Sequence, residues 1–155
     1  MNVLVTGSNG FIAKNLITSF EEDKKIKIKT YNKKTKENLE SLIKKTDVIY
    51  HLAGQNKSQN NQDFLQNNNN LTKIICEIIS KNNLNTKIIF SSTIQIKNKS
   101  IYGITKLESE KIIKRTLKKN QYTIIRIPNV FGKWSRPNYN SVVATFAYLI
   151  SRKKK

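Results

Sequence analysis

Short apolar segments alternate along the chain with longer segments in which apolar residues recur at helical spacing. The short runs are rich in β-branched residues and predict five strands, at 2–6, 26–31, 47–52, 86–91 and 122–127. Steps of three and four residues between apolar positions predict helices at 11–22, 36–45, 61–82, 102–119 and 141–152. Such alternation indicates a parallel sheet with helices on both faces, which is a doubly wound α/β fold.

The first strand leads into a glycine turn, Gly7-Ser8-Asn9-Gly10, and a helix predicted from Phe11 follows it. Free backbone N–H groups and the helix dipole both point at such a turn, so it can bind an anion. Gly7 permits the turn, Gly10 lets a diphosphate approach the backbone, and the small Ala13 lets helix pack on strand. A glycine pattern alone is weak evidence and also fits a purely structural turn. The strand–turn–helix context favours a dinucleotide site.

Composition limits the protein to one domain, since 155 residues with 37% apolar content can bury one core. A single cysteine, Cys76, excludes an internal disulfide and a cysteine metal cage, and we predict that it packs in the core. The lone His51 has no partner pattern for a metal, so we expect it to pack as well. No apolar run reaches membrane-spanning length, and no charged leader precedes the first strand. We therefore expect a soluble, cytoplasmic protein without a membrane partner.

The net charge of +19 raises nucleic acid as an alternative partner. The lysines are dispersed over every segment instead of forming one stripe, and they accompany many asparagines and isoleucines. This pattern resembles a bias of the whole composition and predicts no specific nucleic-acid site. The basic end of the chain is most simply a solvated charge run.

Tyr102 and Lys106 lie four residues apart in a predicted helix, which places both side chains on one face. A cation beside a phenol favours the phenolate, so we expect Lys106 to lower the pKa of Tyr102 and make it a usable acid near neutral pH. By itself a Tyr-x-x-x-Lys pair is common and often decorates a surface. Here it follows Ser91-Ser92-Thr93 at a strand end, whose hydroxyls can polarise a carbonyl oxygen.

With the glycine turn, the hydroxyl-rich strand end and the Tyr-x-x-x-Lys pair, the sequence resembles the extended short-chain dehydrogenases/reductases, the NAD(P)-dependent sugar-nucleotide epimerase/dehydratase group. Ala13 stands where the third glycine of their cofactor turn is usual, His51 to Gly54 match the segment along the cofactor, and Asn68 with Thr72 fits an asparagine-containing helix. The resemblance implies a Rossmann-like fold.

The resemblance also implies roles for individual residues. Thr93 holds the substrate carbonyl oxygen with Ser91 and Ser92 flanking it, Tyr102 donates the proton, and Lys106 binds the nicotinamide ribose. The implied cofactor-binding residues are Gly7, Ser8, Asn9, Gly10, Phe11, Ile12, Asn32, Lys33, Leu52, Ala53, Gly54, Asn68, Ser91, Tyr102, Lys106 and Pro128. The implied substrate-binding residues are Asn56, Lys57, Thr93, Asn129, Arg136, Asn138 and Asn140.

A narrower likeness covers residues 126–134 and 136–146, which resemble the capsular-polysaccharide reductases that reduce a 4-keto UDP-acetamido-sugar on the way to UDP-N-acetyl-L-fucosamine. Lys57 stands where those enzymes usually carry arginine, and Ser135 where they carry cysteine. Members of this group are considerably longer. The resemblance therefore implies that residues 1–155 are an incomplete NAD(P)-binding domain, in which a substrate-binding region starts at 132–155.

The partners implied are a UDP-sugar and a remainder of the enzyme encoded downstream, and a homo-oligomer stays open. An inactive or split-gene nucleotide-binding fragment is the alternative from another class, and a nucleic-acid-associated basic protein is a third.

Cofactor choice is predicted from the end of the second strand. A carboxylate at this place binds a free ribose 2′-hydroxyl and repels a 2′-phosphate. The chain carries Asn32-Lys33-Lys34 there, so NADP is favoured over NAD. The alternative is that these lysines belong to the general lysine surplus.

Overall fold

Five parallel strands form one sheet in the computed structural model, which describes residues 1–32, 34–54, 61–98, 100–139 and 141–153, with the side chains of 61–68 outside that description. The strands are β1 (Asn2–Thr6), β2 (Lys27–Tyr31), β3 (Val48–His51), β4 (Lys87–Thr93) and β5 (Tyr122–Ile127). Their spatial order is β2-β1-β3-β4-β5. The helices are α1 (Phe11–Glu21), α2 (Leu39–Lys44), α3 (Asn61–Lys81), α4 (Ile101–Thr116) and α5 (Val142–Ser151).

The doubly wound, Rossmann-like α/β fold predicted from the pattern is confirmed, while several boundaries differ. β4 runs two residues beyond the predicted end at 91, because its pairing with β5 continues to Thr93 opposite Ile127. α2 begins three residues later than predicted, where the side chain of Asn38 accepts hydrogen bonds from two backbone N–H groups and caps the helix. α4 ends at Thr116, and residues 119–121 form a separate 3₁₀ turn.

Helices cover both faces of the sheet and bury a core on each. On one face α2, α3 and α4 pack over β-strand residues such as Leu4, Ile49 and Phe90, each at most 1% exposed. Cys76 belongs to this cluster, and burial raises the pKa of its thiol to about 12, as suits an inert core residue. On the other face α1 packs against β1 through Ala13. Among the described residues, no helix combines the length and the apolar character needed to span a membrane.

The order of the strands determines where a ligand can enter. After β1 the chain adds β2 on one side and then crosses back to place β3 on the other side of β1. At such a reversal the loops that follow the two strands diverge and leave a crevice beyond their carboxyl ends. The glycine turn follows β1 and residues 52–54 follow β3, so both border this crevice.

Candidate active site

The glycine turn after β1 has the geometry of a phosphate-binding turn. Gly7 has a φ of +71°, and a Cβ built there would lie 2.7 Å from the Cα of Ala53. Glycine is therefore needed at this position both for its backbone conformation and for the close approach of the segment after β3. Gly10 is the N-cap of α1 and offers no side chain to cap it. The first-turn N–H groups of α1 consequently face the crevice without an internal acceptor, which is an arrangement suited to a diphosphate.

Asn32, directly after β2, borders the same turn. Its side-chain amide donates to the Ser8 hydroxyl at 3.0 Å, and its backbone N–H donates to the Thr35 hydroxyl at 2.9 Å. The described residues at this place, 32 and 34–36, include no carboxylate. The predicted cofactor residue Lys33 lies outside the described residues.

Three hydroxyl residues at the end of β4 are buried but differ in what their hydroxyl groups do. Ser91 donates to the His51 carbonyl oxygen at 3.2 Å, and Ser92 donates to Glu110 Oε1 at 2.6 Å. Thr93 Oγ1 accepts the Gln95 N–H at 3.2 Å. Within the described part of the chain, the Thr93 hydroxyl proton has no acceptor, so this group is free to donate to a ligand in the cleft.

α4 brings Tyr102 and Lys106 to the opposite wall of the cleft. Lys106 is 3% exposed, its Nζ donates to the Ser91 carbonyl oxygen at 2.8 Å, and it lies 4.7 Å from the Phe90 ring centroid. Burial lowers the pKa of Lys106 to about 8. The Tyr102 ring centroid is 5.9 Å from the same ammonium.

The expectation that Lys106 lowers the pKa of Tyr102 is wrong for this structure. Burial raises the pKa of the Tyr102 phenol instead. The physical reason is that the Lys106 ammonium donates its hydrogen bond to the Ser91 carbonyl oxygen and not to the phenol. The half-buried phenol loses hydration, which disfavours the phenolate and raises the pKa. In this state of the protein Tyr102 is therefore held in its protonated form.

His51 does more than pack. Its Nδ1 lies 2.7 Å from the Thr6 hydroxyl and its Nε2 lies 2.9 Å from the Thr72 hydroxyl. Thr6 Oγ1 also accepts the Ala53 N–H at 3.2 Å, and Thr72 donates onward to Ser109 at 3.4 Å. Burial, followed by the charge of Lys106, lowers the pKa of His51 to about 3, so the ring stays neutral.

The network around His51 joins the segment after β3 to α3 and α4. A packing role alone was therefore an incomplete interpretation of this residue. Among the residues that the structure describes, no group of three or more His, Cys, Asp or Glu side chains could hold a metal ion.

A cleft of about 680 Å³ joins the glycine turn to the hydroxyl groups and the Tyr–Lys pair. Most of the predicted site residues line it: Gly7, Asn9, Gly10, Phe11, Ile12, Leu52, Gly54, Ser91, Thr93, Tyr102, Lys106, Pro128, Asn129 and Arg136. Ser8, Asn32, Ala53 and Asn138 do not belong to this lining. The predicted residues Lys33, Asn56, Lys57, Asn140 and the side chain of Asn68 lie outside the described residues.

The loop after β5 supplies cleft residues that sequence reasoning missed, among them Trp134, Ser135 and Tyr139. Trp134 has a φ of +68°, and the Asn15 side-chain amide ties this loop to α1 by donating to the Lys133 carbonyl oxygen at 2.9 Å. The signal that could have found them is their place after the carboxyl end of a strand, where this fold binds ligands.

Several known proteins are similar to this chain. It is 39% identical over 156 residues to the UDP-2-acetamido-2,6-beta-L-arabino-hexul-4-ose reductase of Pseudomonas aeruginosa, covering 98% of this chain and 42% of that protein. The crystal structure of the capsular polysaccharide assembling protein CapF from Staphylococcus aureus superposes with a TM-score of 0.84 at 37% identity, over 100% of this chain and 43% of that one.

A UDP-glucuronic acid 4-epimerase from Bacillus cereus, solved in complex with NAD, has the same fold, with a TM-score of 0.84 at 21% identity, over 99% of this chain and 65% of that one. The chain thus spans less than half the length of the Pseudomonas aeruginosa and Staphylococcus aureus proteins. Residues 3–155 match the profile of the NAD dependent epimerase/dehydratase family, an NAD(P)-dependent group, and the family predicted from the motifs is confirmed: the chain belongs to it.

Proposed function

We propose that this chain is the cofactor-binding portion of an NADPH-dependent reductase that acts on a 4-keto UDP-acetamido-sugar in the synthesis of a surface polysaccharide. One observation carries the proposal: the Thr93 hydroxyl and the Tyr102–Lys106 pair face the cleft that begins at the glycine turn. The identity to a reductase of such a sugar nucleotide supports the choice of substrate. In this proposal residues 1–155 form the NAD(P)-binding domain, and residues 132–155 begin the substrate-binding region.

The residues at the glycine turn fit a dinucleotide. Gly7 and Gly10 keep the turn free of side chains, and the uncapped start of α1 offers N–H donors to the diphosphate. Leu52 and Gly54, after β3, would lie along the cofactor, and Lys106 would donate to the nicotinamide ribose. When bound, NADPH supplies the hydride that reduces the keto carbon.

The remaining chemistry belongs to the side chains on the far wall of the cleft. The Thr93 hydroxyl donates a hydrogen bond to the carbonyl oxygen of the substrate and polarises it. As the oxygen becomes negative, the Tyr102 phenol gives it a proton, and the product is the alcohol. Burial raises the pKa of the Tyr102 phenol, so its proton is in place before the reaction.

The exposed apolar surface of α5, the helix that follows β5, favours a further polypeptide as partner. α5 contains no buried residue, and Val142, Phe146 and Ile150 are 66%, 59% and 76% exposed, although the helix is strongly apolar. β5 is the last strand of the described sheet on this side. The relatives contain a part that this chain does not match. We propose that a polypeptide corresponding to that part covers the exposed apolar face of α5. In this proposal it completes the UDP-sugar site together with Asn129, Arg136 and Asn138. A second copy of this chain is a poorer occupant, since the net charge of +19 opposes self-association.

The proposed reaction is tested in a chimera that joins this chain to the C-terminal part of the Pseudomonas aeruginosa reductase. With a 4-keto UDP-acetamido-sugar, the chimera should oxidise NADPH at least about ten times faster than the chain alone, since contacts to the remote UDP orient the reacting keto group. NADPH consumption followed at 340 nm gives the rates. A chimera that binds NADPH but oxidises none with keto sugar nucleotides would favour the nucleotide-binding fragment instead.

Cofactor preference is tested at Asn32. The wild-type chain should bind NADPH more tightly than NADH by about tenfold, the equivalent of one charge-assisted phosphate contact of roughly 1.5 kcal/mol. Asn32→Asp places a carboxylate beside the turn and should narrow or reverse that ratio. Asn38→Asp is the matched control, because it adds the same charge at the N-cap of α2. Equal affinities of the wild-type chain for the two cofactors would contradict the proposed preference.

A further inference from the structure

Glu110 is a buried carboxylate that the proposed reaction does not use. It lies on α4 one helical turn beyond Lys106, and its side chain is 1% exposed. Arg126 binds it with two hydrogen bonds, Nε to Oε1 at 3.0 Å and Nη2 to Oε2 at 2.7 Å, and Lys114 Nζ lies 3.9 Å away. The Ser92 hydroxyl donates to Oε1 at 2.6 Å. One carboxylate therefore joins α4, β4 and β5.

The carboxylate of Glu110 stays ionised in this environment. The hydrogen bonds from Arg126 are the largest influence and lower its pKa against the opposing effect of burial. An ionised carboxylate makes a shorter and stronger hydrogen bond to a hydroxyl than a neutral acceptor does. The contact with Ser92 is therefore a strong, charge-assisted tie between the end of β4 and α4.

The hydrogen bond from Ser92 lies where β4 is paired on one side. Pairing of β4 with β3 ends at Phe90 opposite His51. Among the described strands, β5 alone pairs with the next three residues, Ser91 to Thr93. The two residues that flank Ser92 are those that matter for the site: the Ser91 carbonyl oxygen accepts from Lys106, and the Thr93 hydroxyl faces the cleft.

We propose that Glu110 is a positioning residue, which holds the Ser92 hydroxyl and thereby keeps the Ser91 carbonyl oxygen against Lys106 and the Thr93 hydroxyl in the cleft. The mechanistic meaning of this inference rests on the proposed reductase function. The competing interpretation is an ion pair that stabilises the fold and has no specific effect on the site.

The Lys106 ammonium reports on this positioning in the free chain. Its carbonyl acceptor favours the charged form, so moving Ser91 away should lower the Lys106 pKa from about 8. Titration of the lysine side chains by NMR, with the Lys106 signal identified from Lys106→Arg, measures that pKa. Of the titratable groups around it, His51 is neutral and the Tyr102 phenol is protonated near pH 8, so neither adds charge in this range.

Ser92→Ala removes the tie without changing any charge. We expect it to lower the Lys106 pKa by about half a unit or more, which is roughly a threefold change in the dissociation constant. Glu110→Met should lower it as well, through the lost tie and the lost negative charge. The double variant should match Glu110→Met alone, because Ser92 then has nothing left to hold.

Two controls separate positioning from general destabilisation. Glu108→Met makes the same substitution at a partly exposed position of α4, where Glu108 pairs with Lys111 at 3.4 Å. Ile113→Val weakens the core under the same helix. Neither should move the Lys106 pKa. An unchanged pKa in Ser92→Ala, an equal shift in Ile113→Val, or additive shifts in the double variant would each overturn the proposal.

The titration uses the chain without cofactor or substrate, so its outcome is independent of the proposed reaction. Failure of the reductase proposal would show as absent NADPH oxidation by the chimera while the Lys106 pKa still responds to Ser92→Ala. Failure of the Glu110 proposal would leave that oxidation in place while the pKa stays unchanged.

Discussion

Tyr102→Phe in the chimera with the Pseudomonas aeruginosa C-terminal part should lower kcat by roughly 10²–10⁴-fold, the usual contribution of a positioned proton donor. The phenol is half-buried and lines the cleft, and within the described residues its oxygen has no hydrogen-bond partner to lose. Phenylalanine keeps the ring and removes only the donor. The fold and the NADPH affinity should therefore be unchanged, and only turnover should fall.

Tyr122→Phe is the matched control for this variant. Tyr122 begins β5, at the end of the sheet remote from the cleft, and takes the same loss of a hydroxyl. The kcat of the Tyr122→Phe chimera should stay at the value of the unsubstituted chimera. Rates of NADPH oxidation and a fluorescence titration of NADPH, made on the same preparations, separate chemistry from binding. A Tyr102→Phe chimera with the full rate would refute Tyr102 as the proton donor.

Gly10→Leu should weaken NADPH binding by at least about a hundredfold, or roughly 2.7 kcal/mol. Gly10 is the N-cap of α1, and a Cβ added there already lies 3.1 Å from the Gly7 carbonyl oxygen. A larger side chain would occupy the space in front of the first-turn N–H groups, where the diphosphate is proposed to bind. The chain should still fold, because the φ of Gly10 is −74° and any residue can adopt it.

Ser19→Leu adds a leucine to the exposed face of the same helix and should leave NADPH affinity unaltered. Thermal unfolding of both variants shows how much stability each has lost. NADPH bound by Gly10→Leu as tightly as by the wild-type chain would place the cofactor elsewhere. Weaker binding in Ser19→Leu as well would point to instability of α1 as the cause.

Much of the fold followed from local patterns. The strands were predictable because a sheet covered on both faces buries short continuous runs of apolar residues. The helices were predictable because burying one face imposes a period of about 3.6 on their apolar residues. The parallel sheet followed from the alternation of strand and helix. Boundaries were less predictable, since Thr93 joins β4 only because β5 supplies a partner for it.

The identities of the candidate reactive groups were also readable from sequence. The motifs that predict this chemistry depend on residue type and spacing, and they contain Gly7, Thr93, Tyr102 and Lys106. Because ligands of this fold bind beyond the carboxyl ends of the strands, these residues were expected to lie around one site. Sequence spacing was insufficient for the pKa of Tyr102. That pKa depends on where the Lys106 ammonium points and on how deeply the phenol is buried, and neither distance nor burial is local.

Tertiary structure alone decided the contacts between distant segments. Ser92 was indistinguishable from its neighbours in sequence, yet its hydroxyl is used by Glu110 while the Thr93 hydroxyl is left for a ligand. His51 was assigned to packing because its partners Thr6 and Thr72 are 45 and 21 residues away. The sequence by itself thus determined the fold class and the reactive residue types, whereas side-chain direction, burial and pairing arose only when the sheet brought distant residues together.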